Sequence, residues 1–122
     1  MTEVTTSEVL NKAADLIEQH GWGKGYLSMI GDDGVCVMGA IFAAEHDRFL
    51  SPAESGSDVT SYNVVEACPA GKALRSYLAL EPQHDLWQWN DRANKTGSPV
   101  VEALRACAVI EAARERETAT VA

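Results

Sequence analysis

The stretch Gly34-Val-Cys-Val-Met-Gly-Ala-Ile-Phe-Ala-Ala44 decides the fold, because it is the longest run in the chain without a charged residue. A turn signal, Asp32-Asp33-Gly34, precedes it, and four polar residues from Glu45 to Arg48 return the chain to water. A run bounded in this way predicts the buried central element of one hydrophobic core. We expect a helix from Val37 to about Phe49, with the rest of the chain packed around Val37–Ala44.

A surface helix is predicted before this element. Thr5 and Glu8 have the spacing of a capping box, and apolar residues then recur every three or four positions up to about His20. Gly21 follows, where a left-handed residue commonly ends a helix, and Trp22 is expected to fold back onto the last turn.

Further helices are predicted in the C-terminal half. Pro69 indicates a break between helical pieces over Val59–Ala67 and Ala70–Leu80, because proline does not fit inside a helix. Ser98, with a proline after it, is a strong helix start, and this last helix runs to about Glu115. The expected buried positions of the last two pieces are Ala73, Leu74, Tyr77, Leu78, Val100, Ala103, Leu104, Cys107 and Ile110, and the expected solvent-side pairs are Glu102–Arg105 and Glu111–Arg114.

A short β-hairpin is predicted between the first helix and the central one. Asp33-Gly34 supplies the positive φ angles of a tight turn, so Tyr26–Met29 could pair with Val35–Val37. The fold class is therefore mainly α, with a minor β part: one compact domain over residues 1–122, four or five helices around the central one, and frayed ends at 1–4 and 118–122.

The charge and hydrophobicity of the chain exclude some classes of binding partner. The chain of 122 residues has a formal net charge of −8, and no cluster of Lys and Arg matches a phosphate backbone, so we expect no nucleic-acid binding. The longest apolar run is about half of the roughly 20 residues that span a bilayer, so we expect no membrane insertion. The N-terminal residues lack the pattern of a secretory signal, which favours a cytoplasmic location.

No cofactor or metal site is indicated. The three cysteines are far apart and in no zinc-binding spacing, and reduced thiols are the expectation. The three histidines are isolated as well. The glycines between Gly21 and Gly25 lack the spacing of a phosphate-binding loop. We expect neither a cofactor nor a metal ion.

Cys36 is the main catalytic candidate. It stands at the start of the predicted central helix, where the helix dipole would favour a thiolate nucleophile. His84 could accept its proton, and Asn90 or Asp91 could orient the histidine, as in thiol hydrolases. The competing interpretation is that a cysteine within Val-Cys-Val-Met is a small buried hydrophobe.

Aromatic residues beside turn-forming residues are the candidate binding site. A tryptophan near amide and carboxylate groups suits the recognition of a ligand or protein. The competing interpretation is that the aromatic rings fill the core and that the polar residues secure the turn into the last helix. The binding candidates are Trp22, Trp87, Trp89, Asn90 and Asp91.

Three short motifs carry a family resemblance: Gly21-Trp22, Cys36-x-x-Gly39-Ala40-Ile41, and Trp89-Asn90-Asp91 before a Ser-led helix. Together, from Thr5 to about Ala112, the chain resembles a family of small domains of unknown function from actinobacteria and their phages. The resemblance implies a cytoplasmic, compact and mostly helical protein, and it implies no substrate, cofactor or partner.

Two functions of different classes follow. The first is a non-enzymatic protein-interaction module, such as a phage-encoded modulator of a host protein, which buries a modest apolar patch against a partner or against a second copy of itself. The alternative is a cysteine-dependent hydrolase or transferase that uses Cys36 and His84. An acidic mimic of nucleic acid ranks third, because basic residues interrupt any acidic stripe.

Overall fold

The structure, a computed structural model, describes residues 5–23, 34–48, 65, 68–81, 84–93 and 96–121. This part of the chain is mainly helical, as predicted. Its elements are α1 (Thr6–His20), α2 (Val37–His46), α3 (Pro69–Leu78), α4 (Leu86–Gln88), which continues into a π-helical turn (Trp89–Ala93), and α5 (Ser98–Val121). No helix in the described ranges has the length and apolarity needed to cross a membrane.

The central position of α2 is confirmed. Every residue from Val35 to Ala44 is buried, so α2 is apolar around its whole circumference and is covered by its neighbours. The helix ends at His46 and not at about Phe49. Asp47 adopts a left-handed conformation (φ 60°) and its N–H donates to the carbonyl of Ala43 at 2.8 Å. Asp tolerates this conformation better than most residues, so it can end the helix there.

The start of α1 is confirmed, whereas its end differs from the prediction. Thr5 Oγ1 accepts from the N–H of Glu8 at 3.2 Å. Gly21 has φ +85° and ψ 155°, which is a region that only glycine occupies readily but is not the left-handed helical region. The chain therefore leaves α1 in an extended conformation, and Trp22 is directed toward the segment that precedes α2.

The predicted hairpin is not supported. Val35 forms an isolated parallel bridge with Trp22: its N–H donates to Gly21 O at 2.7 Å, and its carbonyl accepts from Gly23 N at 3.1 Å. Val37, which was assigned to the second strand, is already the first residue of α2. The other proposed strand, residues 26–29, lies outside the described residues.

The start of α3 differs slightly from the prediction. Pro69 is its first residue and does not merely precede it, because proline at this position loses no helical hydrogen bond. The helix ends at Leu78, and Ala79 is left-handed. Tyr77, which was predicted to be buried, is 43% exposed, whereas Leu74 is fully buried. Of the helix predicted over residues 59–67, only Val65 is described, and it is helical and buried.

The last helix, α5, is longer than predicted and packs antiparallel to α1. Its helical hydrogen bonds continue to Val121, and Thr118 Oγ1 donates to the carbonyl of Arg114 at 3.0 Å. The predicted helix end at about Glu115 is therefore too early, and the expected fraying of 118–122 stays a prediction. The predicted Glu111–Arg114 pair is present at 3.4 Å. Ile110 was predicted to be buried and is 41% exposed, because it lies away from both α1 and the core.

Candidate functional site

Asn90 joins the three motifs that the sequence analysis treated separately. Its side chain is fully buried in the π-helical turn. Its Oδ1 accepts from Trp22 Nε1 at 2.8 Å and from the backbone N–H of Val37 at 3.0 Å. Its Nδ2 donates to Gly23 O at 3.1 Å and to Asp91 Oδ1 at 2.8 Å. We call Asn90 and these four partners the Asn90 junction.

The hydrogen-bonding capacity of Asn90 is used completely. A side-chain amide has two donor positions and two acceptor lone pairs, and protein groups occupy all of them. A buried amide that is satisfied in this way fixes the relative positions of its partners, because any displacement leaves a polar group unpaired. The arrangement around Asn90 therefore holds the indole of Trp22 against the start of α2.

Two glycines allow Trp22 to lie where it does. A Cβ on Gly34 would be 2.7 Å from the carbonyl oxygen of Trp22, and a Cβ on Gly97 would be 2.5 Å from Trp22 Cβ. Real Cβ atoms do not approach other atoms this closely, so only glycine fits at either position without displacement. Gly34 also has φ +78°. Trp22 is thus enclosed by a hydrogen bond to Asn90 and by close backbone contacts on both sides.

One side of Trp22 lines an open groove between the end of α1 and the start of α5. The groove has a volume of about 370 Å³. We call it the Trp22 groove, and its lining residues are Ile17, Glu18, Trp22, Gly97, Ser98, Val101 and Glu102. It combines an aromatic ring and aliphatic side chains with two carboxylates, so it suits a group that is both apolar and positively charged.

Arg105 lies next to the groove and connects α5 to α1. Its guanidinium donates to Asp15 Oδ1 at 2.7 Å and to Glu18 Oε1, whereas the sequence had predicted a pair with Glu102. The contacts with Asp15 and then Glu18 raise the pKa of Arg105, so it stays protonated. Three carboxyl side chains, Asp15, Glu18 and Glu102, lie near this one guanidinium, so the formal charge beside the groove is negative.

The other predicted binding residues are less accessible. Trp87 and Trp89 are half-buried and pack against the core, and Asp91 is half-buried with a carboxylate oxygen bound to Asn90. Asn90 itself has no exposed surface. Of the predicted binding residues, Trp22 is the one that lines the groove.

Cys36 occupies the capping position of α2. It is 4% exposed, and its Sγ accepts from the backbone N–H of Gly39 at 3.3 Å. Cys68 caps α3 in the same way, with its Sγ accepting from Gly71 N at 3.3 Å. Both helices therefore begin with the same unit, Cys-x-x-Gly. His84, the predicted base, lies on the surface before α4, where its carbonyl accepts from Arg75 Nη1 at 2.7 Å.

The environment of the other two thiols favours the protonated form. Burial, with a smaller contribution from the carboxylate of Glu45, raises the pKa of Cys68 to about 11. Burial likewise raises the pKa of Cys107 to about 11, with Glu111 contributing. Among the described residues, no cluster of three or more His, Cys, Asp or Glu side chains is arranged to hold a metal ion.

Several groove residues were not singled out from the sequence. Glu18, Gly97 and Val101 are three of them. Their importance depends on the antiparallel packing of α1 against α5, which brings residues about 80 positions apart together. The sequence signal for this packing was limited to two amphipathic helices, which does not specify their register.

Comparison with models of known protein families assigns the chain to a family. The model of DUF6197, described as a family of unknown function, matches residues 1–110, so the chain belongs to this family. This confirms the predicted resemblance to a family of unknown function, and the match includes the Asn90 junction and all the residues of the Trp22 groove. The actinobacterial or phage source stays a prediction. Searches of curated proteins and of solved structures found no match.

Proposed function

We propose that this protein is a non-enzymatic binding domain whose Trp22 groove receives a lysine or arginine side chain from a partner protein. The observation that carries the proposal is the combination, in one open groove, of a rigidly held tryptophan with the carboxylates of Glu18 and Glu102. The family resemblance extends the proposal to a host protein as the partner of a phage-encoded chain.

Rigidity is the first argument. A side chain that is already immobile loses little conformational entropy when a partner binds, and binding energy concentrates in such aromatic anchors. Trp22 meets this condition because Asn90 holds its Nε1–H and Gly97 contacts its Cβ. Since the Nε1–H is already used, a partner contacts the ring of Trp22 and not its polar atom.

Charge is the second argument. A cation near an indole ring is attracted by about 0.5–2 kcal/mol, and adjacent carboxylates add to this attraction. The aliphatic stem of lysine or arginine would pack against Ile17 and Val101, while its charged end would approach Glu18 and Glu102. The chain's net charge of −8 also attracts basic partners over longer distances.

The thiol alternative has less support. A nucleophilic cysteine needs an accessible sulfur, whereas Cys36 is 4% exposed and its sulfur accepts the N–H of Gly39. Cys68 makes the same contact at the start of α3, which favours a structural role for the Cys-x-x-Gly unit in both places.

Selection of peptides from a random library on the immobilised chain tests the proposal. We expect enrichment of peptides that contain Lys or Arg, and about tenfold weaker binding of these peptides to the Glu18→Gln/Glu102→Gln variant. Glu117→Gln is the matched control, because Glu117 is an exposed glutamate on α5 that lies outside the groove. The proposal would be overturned by selected peptides that lack basic residues. Equal binding of the peptides to the Glu18→Gln/Glu102→Gln and Glu117→Gln variants would also overturn it.

A further inference from the structure

We propose that a second copy of this chain binds the outer face of α5 as an antiparallel helix pair with Val109 on the two-fold axis. The outer face comprises Glu102, Ala106, Val109, Ala113 and Arg116. Glu102 is shared with the Trp22 groove, whereas Val109 and Arg116 lie outside it, so variants at Val109 and Arg116 test this contact without altering the groove.

Exposure of apolar residues is the first observation. Val109 is 69% exposed and Ile110 is 41% exposed, on a helix whose opposite side is fully used by the core. Ala106 and Ala113 are half-buried and lie one turn before and one turn after Val109 on the same side. These residues form a second apolar stripe on α5, narrow and with small side chains, which allows another helix to approach closely.

The charged residues at the two ends of this face indicate that it binds a second copy of the chain. Glu102 lies seven positions before Val109 and Arg116 lies seven positions after it, and both are exposed. Seven residues are nearly two helical turns, so both charges lie on the same side of α5 as Val109. In an antiparallel pair centred on Val109, Glu102 of each copy faces Arg116 of the other, and the contact contains two such pairs of opposite charge.

The alternative orientation is disfavoured by the same charges. A parallel two-fold pair would place Glu102 against Glu102 and Arg116 against Arg116, so like charges would meet at both ends of the stripe. A self-complementary surface of this kind is the requirement for a two-fold symmetric contact. The surface is complementary to itself in the antiparallel orientation only.

The contact is expected to be weak. One valine and two alanines from each copy bury less surface than a standard interface, so we expect a dissociation constant on the order of 100 μM. Self-association should be measured at physiological ionic strength, where the repulsion between the net charges of −8 on the two copies is largely screened.

Sedimentation of charge-reversal variants tests the proposal. We expect the wild-type chain to dimerise reversibly, and Glu102→Arg and Arg116→Glu each to lose self-association by about tenfold or more, because each places four like charges at the contact. An equimolar mixture of these two variants should associate again, since every facing pair then has opposite signs. Val109→Lys should abolish association without affecting folding, because Val109 is mostly exposed.

The controls separate this face from other surfaces. Tyr77→Lys changes another exposed apolar residue, on α3, and should leave the association unchanged. A wild-type chain that stays monomeric up to about 1 mM, a concentration at which such a weak contact is populated, would overturn the proposal. So would a mixture of the two charge-reversal variants that fails to associate.

Discussion

Two polar networks connect distant parts of this chain, and they differ chiefly in burial. The Asn90 junction joins the segment after α1, the start of α2 and the π-helical turn, and the side chain at its centre has no exposed surface. Arg105 joins α5 to α1 through Asp15 and Glu18, but its side chain is 40% exposed. Water can replace the partners of Arg105 when they are lost, whereas nothing can replace those of Asn90.

The largest expected effect is the removal of the Asn90 amide. Asn90→Ala leaves the Nε1–H of Trp22, the N–H of Val37 and the carbonyl of Gly23 without their partner. We expect a loss of about 3–4 kcal/mol in the free energy of unfolding, measured by urea denaturation. Gln19→Ala, which removes an exposed side-chain amide from α1, is the matched control and should cost less than about 0.5 kcal/mol. A loss below about 1 kcal/mol for Asn90→Ala would show that the junction contributes little.

Substitutions of the two glycines with positive φ beside the Asn90 junction distinguish the cost of backbone strain from the cost of a close contact. Gly21→Ala introduces strain only, because nothing lies within 4 Å of its added Cβ, and it should cost about 1–3 kcal/mol. Gly34→Ala adds a contact of 2.7 Å with the carbonyl of Trp22. We therefore expect Gly34→Ala to be more destabilising by at least about 1 kcal/mol in the same denaturation experiment. Equal losses would mean that the Trp22 backbone can move freely.

Buried thiols provide a pH-dependent comparison. The pKa of about 11 for Cys68 and Cys107 lies above the ordinary thiol value of 9.0, so unfolding releases protons at alkaline pH. A raised folded-state pKa stabilises the fold below about pH 9, and this contribution is lost as the pH rises toward about 11. We expect the slope of unfolding free energy against pH in this range to be shallower in Cys68→Ser/Cys107→Ala. An unchanged slope would contradict the assigned burial.

Thiol alkylation addresses the enzymatic alternative directly. Because Cys36 is 4% exposed, iodoacetamide should modify it only when the chain unfolds. At about pH 8, the raised pKa alone should slow the modification of folded Cys68 and Cys107 by about 100-fold relative to the unfolded chain. Mass spectrometry of timed samples gives the rate at each site. Rapid modification of Cys36 in the folded protein would revive the thiol hydrolase interpretation.

The smallest expected effect belongs to Arg105. Arg105→Ala removes exposed contacts with Asp15 and Glu18, and it should cost about 0.5–1 kcal/mol at low salt and less at high salt. The same urea denaturation, repeated at two ionic strengths, measures it. A cost as large as that of Asn90→Ala would contradict the contrast between the two networks.

The sequence predicted those parts of the fold that depend on local pattern. The uncharged run around Ile41 identified the central helix, and Thr5, Pro69 and Ser98 located three helix starts to within about one residue. It failed where a distant contact outweighed the local signal. Val35 was predicted to continue a hairpin, but its hydrogen-bonding groups are used by Gly21 and Gly23.

The candidate site was predicted less completely than the fold. Trp22, Asn90 and Asp91 were identified as residues, but not as one connected structure, since their sequence separation of about 68 positions carries no local signal. The glutamates of the groove could not be recognised, because an exposed glutamate on a helix usually has no role beyond solvation. Their significance comes from the packing of α1 against α5, which brings them into one groove with Trp22.

The central claim is that the Asn90 junction holds Trp22 in a groove that binds a positively charged side chain. The most direct measurement follows the Trp22 Nε1–H in the ¹H–¹⁵N spectrum while acetyl-arginine amide and acetyl-lysine amide are added, with acetyl-norleucine amide as the uncharged control. We expect saturable shifts of this resonance and of the Gly97 and Val101 amides with the two cations only, and their loss in Glu18→Gln/Glu102→Gln. No shifts, or equal shifts with norleucine, would contradict the claim.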